Sequence, residues 1–223
     1  MAKILVVAPH PDDDVIGCGG SIIRHVRRGN TVGVVYITSG DMGGLDRREA
    51  EMGAIREAEA TKAAKLMGIK DRHFFRKTDG NLTCTREDIA EATKLIRDYR
   101  PDVVYLPHAY DGHRDHRLTH ELITEACLWA ARPLLAECGR QLWLVGTLLC
   151  YEVGTPLSVV NYTEDISDVI DLKIAAMQLH ESQAVNLEYA EAVRNLNRLR
   201  GIASGLGAYC ECFQVLRVAT LFA

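Results

Sequence analysis

The stretch Val6–Gly20, VVAPHPDDDVIGCGG, sets His10, Asp12, Asp13, Asp14 and a glycine cluster at the end of an apolar run. A second stretch, His108–His116, HAYDGHRDH, carries three histidines and two aspartates. Adjacent carboxylates repel one another, and glycines cost backbone order. A capped helix start with solvated aspartates is the ordinary explanation for PDDD alone, and a surface loop explains HRDH alone. His108, His113, His116 and His120 within one stretch, and the place of both stretches behind strand-like segments, point instead to a bound cation. Neither stretch completes a divalent-metal site, but two loops together do. His10 and Asp13, with His116, form a two-histidine, one-carboxylate set with open positions for water. That set suits catalytic zinc and also other divalent metals. Tandem residues on a turn splay apart, so Asp12 and Asp13 need not share a task. One holds the metal while its neighbour faces the bound water, whose pKa a metal lowers toward about 7. The positive end of a following helix further eases the acidic run.

These loops need strands and helices to hold them. Lys3–Ala8 (KILVVA), Thr31–Thr38 (TVGVVYIT) and Asp102–Pro107 (DVVYLP) are short apolar runs of the kind buried on both faces of a parallel sheet. RHFFRK (72–77) is a further short strand. Between them lie helical patterns: VIGCGGSIIRHVRRGN, DRREAEMGAIREAEATKAAKLMGI, TREDIAEATKLIRDYR with a Thr85/Asp88 relative of the capping box, and HRLTHELITEACLWAA. After Arg132 the pattern changes. QLWLVGTLLCYEV (141–153), LSVVNYT (157–163) and YCECFQVLRV (209–218) read as strands, and 165–184 and 186–205 as helices. The alternation predicts an α/β fold: three layers, α/β/α, around a mostly parallel, Rossmann-like sheet. The metal site then falls at the carboxyl ends of the strands, where such sheets bind ligands. No linker, repeat or low-complexity segment interrupts the chain, so residues 1–223 are expected to form a single domain.

Composition narrows the function classes. The 223-residue chain has a net charge of −4, which gives no reason to expect nucleic acid or an anionic membrane as partner. It lacks an apolar run long enough to span a bilayer, and KILVVA follows Met1 almost directly without a signal-peptide pattern. The seven cysteines form no CxxC pair. They are expected to be reduced, which suits the cytoplasm. GCGG lacks the GxGxxG spacing, and its loop is acidic where a pyrophosphate would lie, so a dinucleotide site is not expected. Gly17, Gly19 and Gly20 read as close helix–sheet packing. Asp41, in the SGDMGG loop after the second strand, is a candidate substrate contact.

PHPDDD with GCGG, and later HRDH, resemble the LmbE-like (PIG-L) family of zinc-dependent N-acetylglucosamine deacetylases. IREAEATKAAKLMGI resembles the family's Arg-x-x-Glu helix, with Arg56 and Glu59 as the pair. DVVYLPH resembles the strand before its HxxH. KIAAMQLHESQ resembles a late segment, here with Lys173, Ala176, His180, Ser182 and Gln183. The resemblance implies that His10, Asp13 and His116 are zinc ligands and that Asp12 is the general base. It implies that His113 stabilises the oxyanion or protonates the leaving amine, with Asp115 orienting His113, and that Arg56 contacts a sugar hydroxyl or phosphate-like group. The family usually carries Glu where this chain has Asp14, a shorter side chain that reaches less far. The implied function is metal-dependent removal of an acetyl group from a small N-acetylglucosamine-containing molecule, by a homo-oligomer. Two alternatives keep the metal: an amidase for a thiol conjugate or longer acyl amide, and a metal-binding regulatory protein without turnover.

Overall fold

The structure, a computed structural model, describes residues 1–44, 49–184 and 188–218. In chain order the elements are β1 (Lys3–Ala8), α1 (Asp13–Arg27), β2 (Thr31–Thr38), α2 (Glu49–Met67), β3 (Asp71–Lys77), α3 (Arg86–Tyr99), β4 (Val103–Pro107), α4 (Arg114–Ala130), β5 (Thr147–Tyr151), β6 (Tyr162–Asp165), α5 (Ile170–Met177), α6 (Glu181–Ala184), α7 (Tyr189–Ser204) and β7 (Cys210–Val218). The expected openings of α2 at Asp46 and of α7 at Asn186 lie outside the described residues.

One seven-stranded sheet runs in the order β3-β2-β1-β4-β5-β7-β6. Strands β1 to β5 pair in parallel, and β7 is antiparallel to both β5 and β6. Successive side chains of a strand point to opposite faces, and β1 uses both. Ile4, Val6 and Ala8 pack with α1, α2 and α5, whereas Leu5 and Val7 pack with α3 and α4. This double burial is why KILVVA shows no alternation, and it gives the three layers expected.

The edges are less regular. Of LSVVNYT, only Tyr162 and Thr163 belong to a strand, and of residues 141–153 only Thr147–Tyr151 do. Leu142, Leu144 and Val159 are exposed; their apolar character has no sheet neighbour to satisfy. The capping box of α3 is present, with Asp88 N–H donating to Thr85 Oγ1 (3.2 Å) and Thr85 N–H to Asp88 Oδ2 (3.0 Å).

Two features aim the first loop. The glycines of α1 let the helix lie close on its neighbours: a Cβ at Gly17 would overlap the Tyr151 ring, and one at Gly20 would fall 2.6 Å from Ile166. The helix also breaks at Cys18, whose backbone is non-helical (φ −148°, ψ 22°). Strand β1 has β2 on one side and β4 on the other, with chain connections leaving in opposite directions. The crevice at such a switch point is where open α/β sheets bind ligands, and the loops after β1 and β4 both end there.

Candidate active site

His10 to Asp13 leave the end of β1 in a tight turn. Asp12 takes φ 123° and ψ −27°, a region that costs a non-glycine residue on the order of 1–3 kcal/mol. Its carbonyl accepts from the N–H groups of Val15 and Ile16 at 2.9 Å, so the first turn of α1 fixes the strained residue. Asp13 Oδ2 reaches back to the N–H of His10 (2.9 Å). The same oxygen lies 3.1 Å from His10 Nδ1 and 3.3 Å from His116 Nε2. Two loops about a hundred residues apart thus bring His10 Nδ1 and His116 Nε2 to the same carboxylate oxygen, and all three residues are buried.

The next shell holds these rings. His10 Nε2 lies 3.0 Å from Asp79 Oδ1 and 3.4 Å from Asp115 Oδ2. His116 Nδ1 lies 3.3 Å from Asp111 Oδ2. Carboxylates behind imidazoles in this way orient metal-binding histidines. Asp111 also accepts from the N–H groups of His113, Gly154 and Thr155. Burial pushes its carboxyl up, but His116 and these N–H groups outweigh that and hold it at about 2.

The donor set fits a divalent ion. Ligand atoms 2.0–2.1 Å from a tetrahedral zinc stand about 3.3 Å apart, and the two separations from Asp13 Oδ2 are 3.1 and 3.3 Å. Without an ion, Asp13 must be offset by protons on the imidazoles. Burial pushes His116 down, yet Asp13 and Asp111 draw it up to about 9. The groups whose ligand atoms come within 4.8 Å of one another are His10, His113 and His116, and His10, Asp79 and Asp115, among the described residues; Asp13 touches the first through His10 and His116.

Asp12 faces the same cavity without joining that cluster. Its Oδ2 accepts from Arg56 Nη2 at 3.1 Å. Burial pushes its carboxyl up to about 7 against the pull of Arg56, which suits a group that takes and returns a proton near neutrality. Asp14 points away into the core, where its Oδ2 accepts from Tyr36 O–H at 3.0 Å. Burial pushes it up to about 7 as well. His113 is the exposed member, capping α4: its Nδ1 accepts from the Asp115 N–H at 3.2 Å. That leaves Nε2 as the protonated nitrogen of a neutral ring. Burial, then His10 and His116, lower its pKa.

A cavity of about 640 Å³ opens over this floor. His10, Asp12, Asp13, Arg56, Asp79, His113 and His116 line its base; Met42, Val153, Tyr189, Val193 and Leu196 line its wall. Three expectations need revision. The carboxylate of Asp115 turns to His10 and to the Gly80 N–H (2.7 Å), and only its backbone holds His113. Asp41 lines a separate, smaller hollow with Ser39 and Glu57, because the turn closed by Gly43 N–H on Gly40 O (3.1 Å) sends Met42 and Gly43 to the cavity instead. Arg56 lines the cavity, but its guanidinium is already engaged by Asp12, Pro11 O and Gly40 O.

Sequence reasoning missed Asp79, Asp111 as a partner of His116, and the α7 wall. Asp79 follows the end of β3 by two residues, so the carboxyl-end rule applied to that strand finds it. In the late segment Gln183 lines the cavity and donates to Gly43 O (3.3 Å), while Glu59 accepts from the N–H (2.8 Å) and O–H (2.6 Å) of Ser182.

Residues 5–127 match the family model described as PIG-L: GlcNAc-PI de-N-acetylase. The chain is 35% identical over 190 residues, 81% of its length and 70% of the relative, to diacetylchitobiose deacetylase of Thermococcus kodakarensis. N,N'-diacetylchitobiose deacetylase from Pyrococcus horikoshii superposes with a TM-score of 0.87 at 30% identity, covering 96% of this chain and 84% of that one. GalB, the 4-carboxy-2-hydroxymuconate hydratase from Pseudomonas putida, superposes with a TM-score of 0.85 at 25% identity over the full length of both chains. With its PHPDD and HxxH loops meeting at the switch point of the sheet, the chain belongs to the PIG-L (LmbE-like) family.

Proposed function

We propose that this protein is a metal-dependent N-deacetylase that releases acetate from a small N-acetylglucosamine-containing molecule. The observation that carries this reading is Asp13 Oδ2 standing between His10 Nδ1 and His116 Nε2, with Asp12 and His113 facing the same cavity. Similarity to two diacetylchitobiose deacetylases supports it.

His10, Asp13 and His116 would hold the ion, for which zinc fits the donors best. When bound, it would polarise the amide carbonyl and acidify water. Asp12 takes the proton from the attacking water. His113 presents Nε2–H to the charge that develops on the carbonyl oxygen, the position in which a fixed donor helps most. Asp12 then returns its proton toward the leaving amine. Asp115 and Asp79 keep His10 oriented. Arg56, engaged by Asp12, Pro11 O and Gly40 O, opposes the effect of burial on Asp12 and holds its carboxylate in place.

The whole chain, residues 1–223, acts as one domain in this proposal, because α5 to α7 and β7 complete the sheet and wall of the same site. Among the described residues no helix is long and apolar enough to cross a membrane. The seven cysteines are free, which suits the cytoplasm. Leu199, Ile202 and Leu206 are exposed along and just beyond α7 and suit contact with another copy, in keeping with a homo-oligomer.

The test is acetate release by zinc-loaded protein from N-acetylglucosamine and N,N'-diacetylchitobiose, alongside longer acyl amides, a thiol conjugate and a hydratable unsaturated dicarboxylate. Deacetylation of the sugars is expected. Turnover of the dicarboxylate or the thiol conjugate without acetate release, or turnover of none, would overturn the proposal.

A further inference from the structure

One wall of the cavity is a single face of α7. Tyr189, Ala192, Val193 and Leu196 line it, at the spacing that puts helical residues on one side. Arg200 continues that face one turn beyond Leu196, and its guanidinium crosses to the loop after β5. There Nε donates to Glu152 Oε1 (2.9 Å), and Nη2 donates to Glu152 Oε2 and to Leu157 O (2.9 Å). Glu152 Oε2 also accepts from the Leu157 N–H (2.7 Å), and Glu152 is buried. One side chain of α7 thus grips both ends of loop 152–157.

The middle of that loop belongs to the cavity and to the metal floor. Val153 and Gly154 line the cavity. Gly154 and Thr155 donate their N–H groups to Asp111, the carboxylate behind His116. A Cβ at Gly154 would fall 3.2 Å from Asp111 Oδ1, so the approach is close. Thr155 is pinned twice more: its carbonyl accepts from His108 Nε2 (2.8 Å), and its Oγ1 accepts from the Gly112 N–H (2.9 Å). The floor therefore fixes the loop, and Arg200 fixes the wall to the loop. The gap between Val153 and α7 has a set width. The side chains of Val153, Val193 and Leu196 line it with apolar surface and offer nothing to sugar hydroxyls. Polar groups gather instead around Gly43, where Arg56 and Gln183 meet.

We infer that Arg200 and Glu152 are positioning residues that set acyl specificity. By holding α7 at a fixed distance from Val153, they restrict this apolar gap to a short acyl group of the substrate amide. They act through Val153 and Leu196 and touch no reacting atom. The inference rests on the deacetylase reading above and adds to it the residues that select the acyl chain.

The experiment compares kcat/KM of the zinc-loaded protein on N-acetyl-, N-butyryl- and N-hexanoylglucosamine. Methylenes that do not fit an apolar pocket cost about tenfold or more, so the wild type should prefer acetyl to butyryl by at least that factor. The test variant is Arg200→Leu/Glu152→Gln, which removes both charges together and leaves neither buried alone. It should lower the acetyl-to-butyryl ratio by about five- to tenfold, within the range that one methylene commands. Arg200→Lys keeps the charge without the planar fork and should fall between wild type and the double variant. Partial unfolding lowers turnover of every substrate alike, so it leaves the ratio where it was. A wild type that hydrolyses the three amides equally, or a ratio that the double variant does not move, would overturn the inference while leaving the deacetylase standing. Hydrolysis of none of the three would remove both.

Discussion

Arg56 Nη2 donates to Asp12 Oδ2 across 3.1 Å in a buried pair that ties α2 to the loop after β1. The guanidinium favours the ionised carboxylate, whereas burial disfavours it, and the balance leaves Asp12 at about 7. Removing the cation removes the only one of these two that lowers the pKa. In Arg56→Gln the acidic limb of the kcat/KM profile should therefore move to higher pH, by roughly one unit or more. A pH series on wild type and variant checks this. An unmoved limb would separate Arg56 from the ionisation of Asp12.

Asp12 stands beside the ligand cluster rather than in it, so its loss should separate binding from chemistry. In Asp12→Ala, metal content of the purified protein should stay at the wild-type level. Turnover on an N-acetylglucosaminide should fall by about two to four orders of magnitude, the usual contribution of a positioned acid–base group. Metal analysis and acetate release on the same preparation measure both. Retained turnover would remove Asp12 as the base.

The contact between His113 Nδ1 and the Asp115 N–H (3.2 Å) fixes which nitrogen carries the proton. Nitrogen-detected NMR of the labelled protein should find His113 as the Nε2–H tautomer and neutral at pH 7, since burial and the two neighbouring histidines lower its pKa. Finding the Nδ1–H tautomer would leave no donor aimed into the cavity. His113→Phe should cost about two to three orders of magnitude in kcat, as losing an oxyanion donor does.

How much of this was legible in the sequence follows from where each interaction is made. The strands that carry the site are buried on both faces, so KILVVA and DVVYLP announce themselves by composition, and the loops behind them contain the ligands within a few residues. Their meeting follows from the parallel topology. Asp115 is harder. A carboxylate two residues from His113 invites pairing with it, but the N-cap geometry uses its backbone there and frees its side chain for His10. Asp41 misleads because one glycine-rich turn decides which neighbour faces the cavity. Lys173, His180, Ser182 and Gln183 are picked out only by resemblance, and nothing in their local pattern names their partners. The partners Glu59, Gly43 and Glu211 are brought to this segment only by the folded chain.

The ligand cluster should bind metal in competition with protons. In the ion-free protein Asp13 and Asp111 hold His116 at about 9 despite its burial, so at neutral pH an incoming ion displaces a proton. The raised folded-state pKa means the proton is held below about 9 and lost above it. Apparent affinity should accordingly strengthen with pH, by about tenfold per unit for each proton displaced. Competition with a chromophoric chelator across roughly pH 6–8 measures the slope, and calorimetry in buffers of different ionisation enthalpy counts the protons. A flat affinity would place the ion away from His116.

The break in α1 at Cys18 makes a last prediction, about stability rather than chemistry. An unbroken helix would pair the Gly20 N–H with Ile16 O. Here Gly20 N–H goes to Glu211 Oε1 (2.7 Å) and Ile16 O accepts from Lys173 Nζ (2.9 Å). Lys173 and Glu211 then meet at 2.7 Å, closing the gap with a salt bridge. Asn197 accepts a further Lys173 proton, and Ser21 donates twice to Glu211. Lys173 and Glu211 are both buried, so removing either leaves an uncompensated charge. Lys173→Met should cost about 3–5 kcal/mol, read as a fall in the midpoint of denaturant unfolding. The double change Lys173→Met/Glu211→Gln removes both charges and should recover a large part of that loss, because the glutamine amide oxygen can still accept from the Gly20 N–H. If the double variant is as unstable as the sum of the two single changes, the pair acts as two independent contacts and the helix break has some other support.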